Sequence, residues 1–201
     1  YRDYKRYICT LEWQDSAKPH SGGMEDIMKE KMLEEFKKVY GGDGDVKVYF
    51  APGRVNLIGE HTDYNGGHVF PCALTMGTYA AVRRRDDNKL RFYSANFEKL
   101  GVIESSIDEL VWNKEADWTN YPKGVMWAYI QKGFQFDKGF DMYYFGNIPN
   151  GSGLSSSASI EVLTALVLKD TFGFETDFIE MALISQFAEN KFNKVNCGIM
   201  D

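Results

Sequence analysis

Apolar residues recur along this chain with two different spacings, and the alternation between them predicts interleaved strands and helices. Alternating or continuous apolar residues predict strands at 46–50, 68–82, 89–95, 100–106 and 142–145. Apolar residues three and four positions apart predict helices at 24–40, 118–132 and 159–172, and another from 177 onward. This interleaving predicts an α+β domain in which helices pack over a mixed sheet.

The first predicted helix begins at Met24, and Gly41-Gly42 would end it. Its apolar side would consist of Ile27, Met28, Met32, Leu33 and Phe36. Residues 1–23 have no such period and no initiating Met, so we interpret them as a non-native or disordered upstream extension, with Met24 as the natural start. The aromatic residues in 1–23, such as Trp13, leave an ordered native extension as the alternative.

A polar segment, GRVNLIGEHTDYNGG at 53–67, lies between the first two predicted strands. Arg54, Glu60, His61 and Asp63 are costly to bring together unless a polar ligand or a counter-charge satisfies them. Ligand-binding residues are often mounted on such connections. Two other interpretations stay open. One is a polar hairpin whose glycines only permit a tight turn. The other is a metal site, because His61 and Asp63 would share a face of an extended chain.

A second polar segment, PNGSGLSSSAS at 149–159, follows a predicted strand and precedes a predicted helix. Its glycines let the backbone approach a phosphate, and the start of a helix presents unpaired N–H groups with a partial positive charge. Serine hydroxyls also cap helices, but here they could bind phosphate and supply an Mg²⁺ ligand. The segment lacks the lysine of a Walker loop and the third glycine of a dinucleotide fingerprint. It therefore predicts a phosphate-binding loop of another type.

The last predicted helix carries an acidic residue on its packed side. Asp177 would cap this helix with Glu180 as its capping-box partner. An inward stripe would consist of Phe178, Met181, Ala182 and Ser185. Glu189 lies close to three full turns after Phe178 and would project from the same face. An acid there needs a partner, which leaves a buried salt bridge, a half-exposed helix end or a bound Mg²⁺ as interpretations.

Together these stretches closely resemble the motifs of the galactokinases, members of the GHMP superfamily of small-molecule kinases. The first segment and the GLSSSAS run match in order, and they are followed by Ala-Glu-Asn at 188–190 and NCGIMD at 196–201. The resemblance covers about residues 45–201. It implies a GHMP-kinase N-terminal domain, of the ribosomal protein S5 domain 2-like fold, over residues 24–201, truncated before the C-terminal lobe of the family.

The resemblance also implies the roles of individual residues. It assigns sugar binding to Glu60, His61, Asp63 and Gly198, catalysis to Asp201 and Arg54, contacts with the ATP phosphates to Gly151, Gly153, Ser155 and Ser156, and Mg²⁺ ligation to Ser157 and Glu189. Asp201 would accept or orient the proton of the anomeric hydroxyl, and Arg54 beside it would favour the ionised carboxylate.

The implied function is ATP-dependent phosphorylation of galactose at the anomeric C1 hydroxyl, which yields galactose 1-phosphate and ADP. Galactose and Mg-ATP would be the ligands. A kinase for a related sugar, such as N-acetylgalactosamine or arabinose, stays open, as does a non-catalytic sensor that binds galactose and ATP. The intact GLSSSAS run disfavours the sensor. Because the second lobe of the family is missing, we expect the chain alone to be inactive.

Composition narrows the classes of partner. Hydrophobic residues make up 44% of the chain and aromatic residues 15%, which favours a packed core over disorder. The net charge of −6, without a long basic run, disfavours nucleic acid. Cys9, Cys72 and Cys197 are odd in number and widely spaced, which disfavours a disulfide framework. The apolar run at 162–168 is too short to span a bilayer, and residues 1–23 lack the apolar core of a signal peptide. We therefore expect a cytoplasmic monomer without a membrane partner.

Overall fold

Five strands form one sheet, and four α-helices pack on its two faces, within residues 24–42, 44–149 and 151–201, which are the residues that the computed structural model describes. The strands are β1 (Lys47–Asn56), β2 (Pro71–Arg84), β3 (Lys89–Ser94), β4 (Ile103–Ser106) and β5 (Phe140–Gly146). The helices are α1 (Met24–Tyr40), α2 (Asn120–Gln131), α3 (Ser156–Phe172) and α4 (Phe178–Lys191). The predicted extension at 1–23 lies outside the described residues.

The sheet is mixed, as the interleaved pattern predicts. Its strand order is β1-β2-β5-β3-β4, in which β3 and β5 run parallel and the other neighbouring pairs run antiparallel. β1 extends to Asn56, well beyond the predicted end of the strand at Phe50. Arg54 therefore lies on β1 itself, next to a shift in register at Pro52–Arg54, and not in the connection that follows.

Strand β5 is buried on both faces, which explains its run of aromatic residues. Successive side chains of a strand point to opposite faces of the sheet. Phe140, Met142 and Tyr144 belong to the main core, which α2, α3 and α4 complete. Tyr143 belongs to a smaller cluster on the opposite face, which α1 covers with Met32.

Helix α1 packs with a narrower apolar stripe than its sequence predicts. Met32 and Phe36 are fully buried, as expected, but Ile27 is 63% exposed, so its assignment to the packed side was wrong. The packed stripe begins one residue later, at Met28. The helix ends as predicted, because Gly41 and the glycine after it adopt positive φ values of 62° and 75°, which favour glycine.

Three arginines share one buried carboxylate at the far end of the sheet from the polar segments. Asp141, on β5, is 1% exposed and accepts hydrogen bonds from Arg83, Arg85 and Arg91 at 2.6–3.2 Å. Burial alone would raise the pKa of Asp141, but the hydrogen bonds from the three arginines hold it below its ordinary value. Arg83 also donates to the Gly41 carbonyl at 2.8 Å, so the cluster ties the end of α1 to the sheet.

Several element boundaries differ from the predicted ones. α3 begins at Ser156 and not at Ser159, so it includes part of the serine run. α2 begins at Asn120, after a 3₁₀ segment at 114–119. Another 3₁₀ segment occupies 95–100, which includes the predicted connection between two strands, and β4 begins at Ile103, three residues later than predicted. Among the described residues, no helix combines the length and the apolar character needed to cross a membrane.

Candidate functional site

A cavity of about 490 Å³ lies where the second polar segment meets α3, α4 and the end of the chain. Its lining includes Arg54, residues 151–158, Glu161, Glu189 and residues 195–201. A larger groove of about 840 Å³ lies beside residues 83–87, but it contains none of the predicted site residues. Asp141 and Asp87 already pair with two of its arginines, so we assign the candidate site to the smaller cavity.

The glycine and serine loop at 151–155, called here the serine loop, leads into α3 with an uncapped helix start. Gly151 and Gly153 have φ values of 69° and 70°. Ser155 occupies the N-cap position in a left-handed conformation, with φ of 58°, and its side chain caps no N–H group of the helix. The first N–H groups of α3 therefore have no side-chain partner at the cavity, and such groups bind anions.

Ser155 directs its hydroxyl to Asp201 instead of to the helix. Its Oγ donates to Asp201 Oδ1 at 2.9 Å, and the Arg54 guanidinium forms an ion pair with the same oxygen. Arg54 also donates to the Gly153 carbonyl at 2.8 Å. Three sequence-predicted residues from β1, the serine loop and the end of the chain thus meet at one carboxylate.

The connection between β1 and β2 contacts the segment that precedes Asp201. The Met200 amide donates to Asp63 Oδ2 at 3.2 Å. A Cβ atom on Gly198 would lie only 1.5 Å from the same oxygen, so this close approach requires glycine. Asp63 thereby reaches the candidate site through the backbone on which Asp201 is mounted.

The other two predicted sugar residues are open to solvent. Glu60 is exposed, and His61 is also exposed with its Nδ1 2.5 Å from the Tyr64 hydroxyl. His61 has a φ of 61°, and Asp63 begins a 3₁₀ turn, so the two do not sit on one extended stretch of chain. The alternative of a metal site at this pair loses its geometric basis. No group of three or more His, Cys, Asp or Glu side chains that could hold a metal occurs in the described part of the chain.

Glu189 lies on the packed side of α4, and Glu161 of α3 faces it. Glu189 is 5% exposed and Glu161 is 1% exposed. Burial first, and then the hydrogen bond to Glu189 and its charge, raise the pKa of Glu161 well above its ordinary value. Asn193 Nδ2 donates to Glu161 Oε1 at 3.0 Å. The salt-bridge interpretation of Glu189 is not supported, because no lysine or arginine of the described residues pairs with it.

Oxygen atoms without partners line the same part of the cavity. Glu189 Oε2 and Ser185 Oγ are buried and have no hydrogen-bond partner. Ser157, the other predicted metal ligand, is half-buried in the first turn of α3 and also lines the cavity. Carboxylate and hydroxyl oxygens are the donors that Mg²⁺ prefers, so the residues present fit this ion.

The sequence interpretation gave no site role to Glu161 or Ser185. Glu161 follows Ser157 by four positions, so helical spacing alone could have placed it on the face of a predicted ligand, and Ser185 belongs to the predicted inward stripe that includes Glu189. What the spacing could not provide was the contact between α3 and α4, which brings the two faces together.

Cys197 lines the cavity but is unsuited to act as a nucleophile. Burial first, and then the charges of Glu189 and Asp201, raise the pKa of Cys197 to about 12, so its thiol stays protonated. Its backbone has a structural use, because the Cys197 amide donates to Asn190 Oδ1 at 2.9 Å. This bond anchors the segment that carries Asp201 to α4.

Comparison with known proteins gives two family matches. A profile described as the galactokinase galactose-binding signature matches residues 34–84, and one described as the GHMP kinases N terminal domain matches residues 120–201. The galactokinases of Fusobacterium nucleatum and Bacillus subtilis are 58% and 56% identical to the chain over 174 residues. Each alignment covers 87% of this chain and 45% of the relative, so the chain spans about half the length of these curated relatives.

Solved structures agree with these matches. The Lactococcus lactis galactokinase complexed with galactose has a TM-score of 0.83 and 45% identity, over 87% of this chain and 45% of that one. A mevalonate kinase has a TM-score of 0.63 with 19% identity, over 77% of this chain and 49% of that one, which shows a shared fold alone.

Proposed function

Because the chain belongs to the galactokinases of the GHMP kinase superfamily, we propose that the protein carrying it phosphorylates galactose at the C1 hydroxyl with ATP. The products are galactose 1-phosphate and ADP. The observation that carries this proposal is the meeting of Arg54, Ser155 and Asp201 beside the uncapped start of α3. A carboxylate next to an anion-binding helix start suits the transfer of a phosphoryl group to a hydroxyl.

In this proposal, Asp201 is the residue that contacts the reacting hydroxyl. The C1 oxygen forms a bond to the γ-phosphorus, the bond from that phosphorus to the bridging oxygen breaks, and ADP leaves with the electron pair. The hydroxyl proton passes to, or is oriented by, the Asp201 carboxylate. Arg54 and Ser155 both donate to Oδ1, which leaves Oδ2 to face the sugar. Phosphoryl transfer depends mainly on such positioning and on charge stabilisation.

The serine loop binds the phosphates of ATP. Gly151 and Gly153 have no neighbouring atoms within 4 Å of a built Cβ, so their backbone is open to a ligand. Ser156 is exposed at the first turn of α3, next to the uncapped N–H groups. Ser155 contributes its backbone to the loop, while its hydroxyl serves Asp201.

Galactose binds between the β1–β2 connection and the segment before Asp201. Glu60 and His61 are exposed and can exchange hydrogen bonds with sugar hydroxyls. Asp63 and Gly198 contact each other, so they set the distance between the two sides of the sugar site. This arrangement supports assigning all four residues to sugar binding.

Ser157 and Glu189 would hold the Mg²⁺ that accompanies ATP. The unpaired Glu189 Oε2 supports this assignment, since a buried carboxylate oxygen without a partner is costly unless a cation meets it. Bound there, Mg²⁺ would neutralise charge on the phosphate oxygens. The cytoplasmic compartment and the monomeric state remain predictions of the sequence.

The test is galactose-dependent ADP release by the full-length protein that carries this chain. Asp201→Ala should lower kcat roughly 100- to 10,000-fold. Asp201→Asn, which keeps size but removes the charge, should lower it similarly. N-acetylgalactosamine and arabinose serve as competing acceptors, and faster turnover of either would favour the related-sugar alternative. Binding of galactose and ATP without any turnover would reject the kinase and favour the sensor.

A further inference from the structure

A cluster of polar side chains, three of them buried, lies where α3 meets α4 and the residues just after it, at the inner side of the cavity. We call Glu161, Ser185, Glu189 and Asn193 the α3–α4 polar cluster. The first three line the cavity. Two oxygens of the cluster, Ser185 Oγ and Glu189 Oε2, are buried without partners. Unpaired buried oxygens reduce stability, so a cluster that retains two of them points to a ligand.

Glu161 is held on one side and contacts Glu189 on the other. Asn193 Nδ2 donates to Glu161 Oε1 at 3.0 Å, and the carboxyl groups of Glu161 and Glu189 are hydrogen-bonded neighbours. Glu161 and Glu189 both line the cavity, so the contact with Glu161 fixes one side of the Glu189 carboxylate and leaves its other side to the cavity.

We propose that Glu161 is a positioning residue for the Mg²⁺ site: held by Asn193, it orients the Glu189 carboxylate towards the cavity that the serine loop lines. The inference rests on the proposed function, because Mg²⁺ arrives with ATP. Ser157 precedes Glu161 by four positions on α3, so one face of this helix carries both a proposed ligand and the residue that orients the second ligand. Glu161 acts through Glu189 and touches no reacting atom.

A purely structural role for Glu161 predicts a different result. Glu161→Met leaves Asn193 Nδ2 and the Glu189 carboxylate without their partner, so some loss of unfolding free energy is expected whichever role Glu161 has. If Glu161 positions Glu189, the folded Met variant should bind metal more weakly. A side chain kept only for packing would change the unfolding free energy and leave the metal affinity of the folded protein unchanged.

The test titrates Mn²⁺ in the presence of ATP, using the full-length protein that carries this chain. Mn²⁺ replaces Mg²⁺ and is counted by electron paramagnetic resonance, a readout independent of turnover. Glu161→Gln keeps both hydrogen bonds, since its amide oxygen can accept from Asn193 and its amide N–H can donate to Glu189. Glu161→Met keeps the size and loses both. Glu175→Gln, an exposed acid in the loop between α3 and α4, is the matched control.

We expect Glu161→Met to weaken Mn²⁺ binding roughly 10- to 100-fold, while Glu161→Gln and Glu175→Gln stay within about twofold of the native protein. Native-like binding by the Met variant would overturn the inference. Equal loss in the Gln and Met variants would also overturn it, because the charge of Glu161 and not its hydrogen bonds would then be needed.

A second variant keeps the inference testable if Glu161→Met does not fold. Asn193→Ala removes the donor that holds Glu161 and should also weaken Mn²⁺ binding, and unchanged affinity would count against the inference.

The experiment distinguishes failure of the proposed function from failure of this inference. A native protein that binds Mn²⁺ with ATP but does not phosphorylate galactose would end the proposed function, and the variants would still decide the role of Glu161. A native protein that binds no Mn²⁺ with ATP would overturn the inference itself.

Discussion

Gly198→Ala tests how closely the segment before Asp201 must approach the β1–β2 connection, which is proposed to bind the sugar. Gly198 is buried, and a Cβ there would lie 1.5 Å from Asp63 Oδ2 and 2.2 Å from Asp63 Cγ. Ordinary contact needs roughly 3.5 Å, so one of the two segments must move by about 2 Å. Overpacking of this kind costs about 1–3 kcal/mol of unfolding free energy. Misplacement of reacting groups by about 1 Å can cost about 100-fold in rate, so we expect kcat to fall at least that far.

The assay is galactose-dependent ADP release for kcat and KM, with urea denaturation for the unfolding free energy. Gly146→Ala is the control, because a Cβ at Gly146 meets nothing closer than 3.7 Å, and both quantities should be preserved. The destabilisation by Gly198→Ala should largely disappear in an Asp63→Ala background, since the clashing carboxylate is then gone. Equal destabilisation in both backgrounds would show that the carboxylate of Asp63 is not the clashing group, and an unchanged kcat would show that the approach of the two segments does not control catalysis.

Three further predictions concern single side chains. Ser155→Ala removes the hydroxyl that donates to Asp201, so kcat should fall about 10-fold with little change in the KM for ATP. A raised KM for ATP at constant kcat would indicate that the hydroxyl binds ATP instead. Asp141→Asn leaves three arginines without their carboxylate and should cost about 3–5 kcal/mol in urea denaturation near neutral pH. The pKa of Asp141 is lower in the folded protein than in the unfolded chain. The stability that the Asp141 carboxylate contributes is therefore present above the ordinary carboxyl pKa of about 4 and is lost as the pH falls through the pKa of the folded protein. A difference in unfolding free energy between the native protein and Asp141→Asn that does not change with pH would contradict this. Cys197, whose pKa is raised to about 12, should react with iodoacetamide much more slowly than the exposed Cys72, and equal labelling by peptide mapping would contradict that.

Features that depend on neighbours along the chain were predictable. Asp177 caps α4 and accepts from the Glu180 amide at 2.8 Å, as the capping pattern indicates. Glu189 is buried as expected, although Phe178, from which its face was inferred, is 53% exposed. The first buried residue of the predicted stripe is Met181, which lies in the core, and Glu189 is buried on the same side of the helix.

Features that depend on contacts between distant segments were not predictable. The left-handed Ser155 gives up its capping role because Asp201 lies within reach of its hydroxyl, and no local pattern signals that. The early start of α3 at Ser156 follows from the same backbone turn. The pairing of Glu161 with Glu189 requires α3 and α4 to pack side by side, which periodicity in either helix alone cannot indicate.

The contacts around Asp201 connect the two parts of the chain that are proposed to bind the two substrates. Arg54 links the serine loop to Asp201 through the Gly153 carbonyl, and Asp63 links the β1–β2 connection to the same segment through the Met200 amide. We therefore expect a shift of the serine loop to move the Asp201 carboxylate as well. In the proposed reaction the transferred group passes directly between ATP and galactose, so their relative placement would matter more than the affinity for either one. Substitutions within this set of contacts should accordingly lower kcat more than they raise either KM.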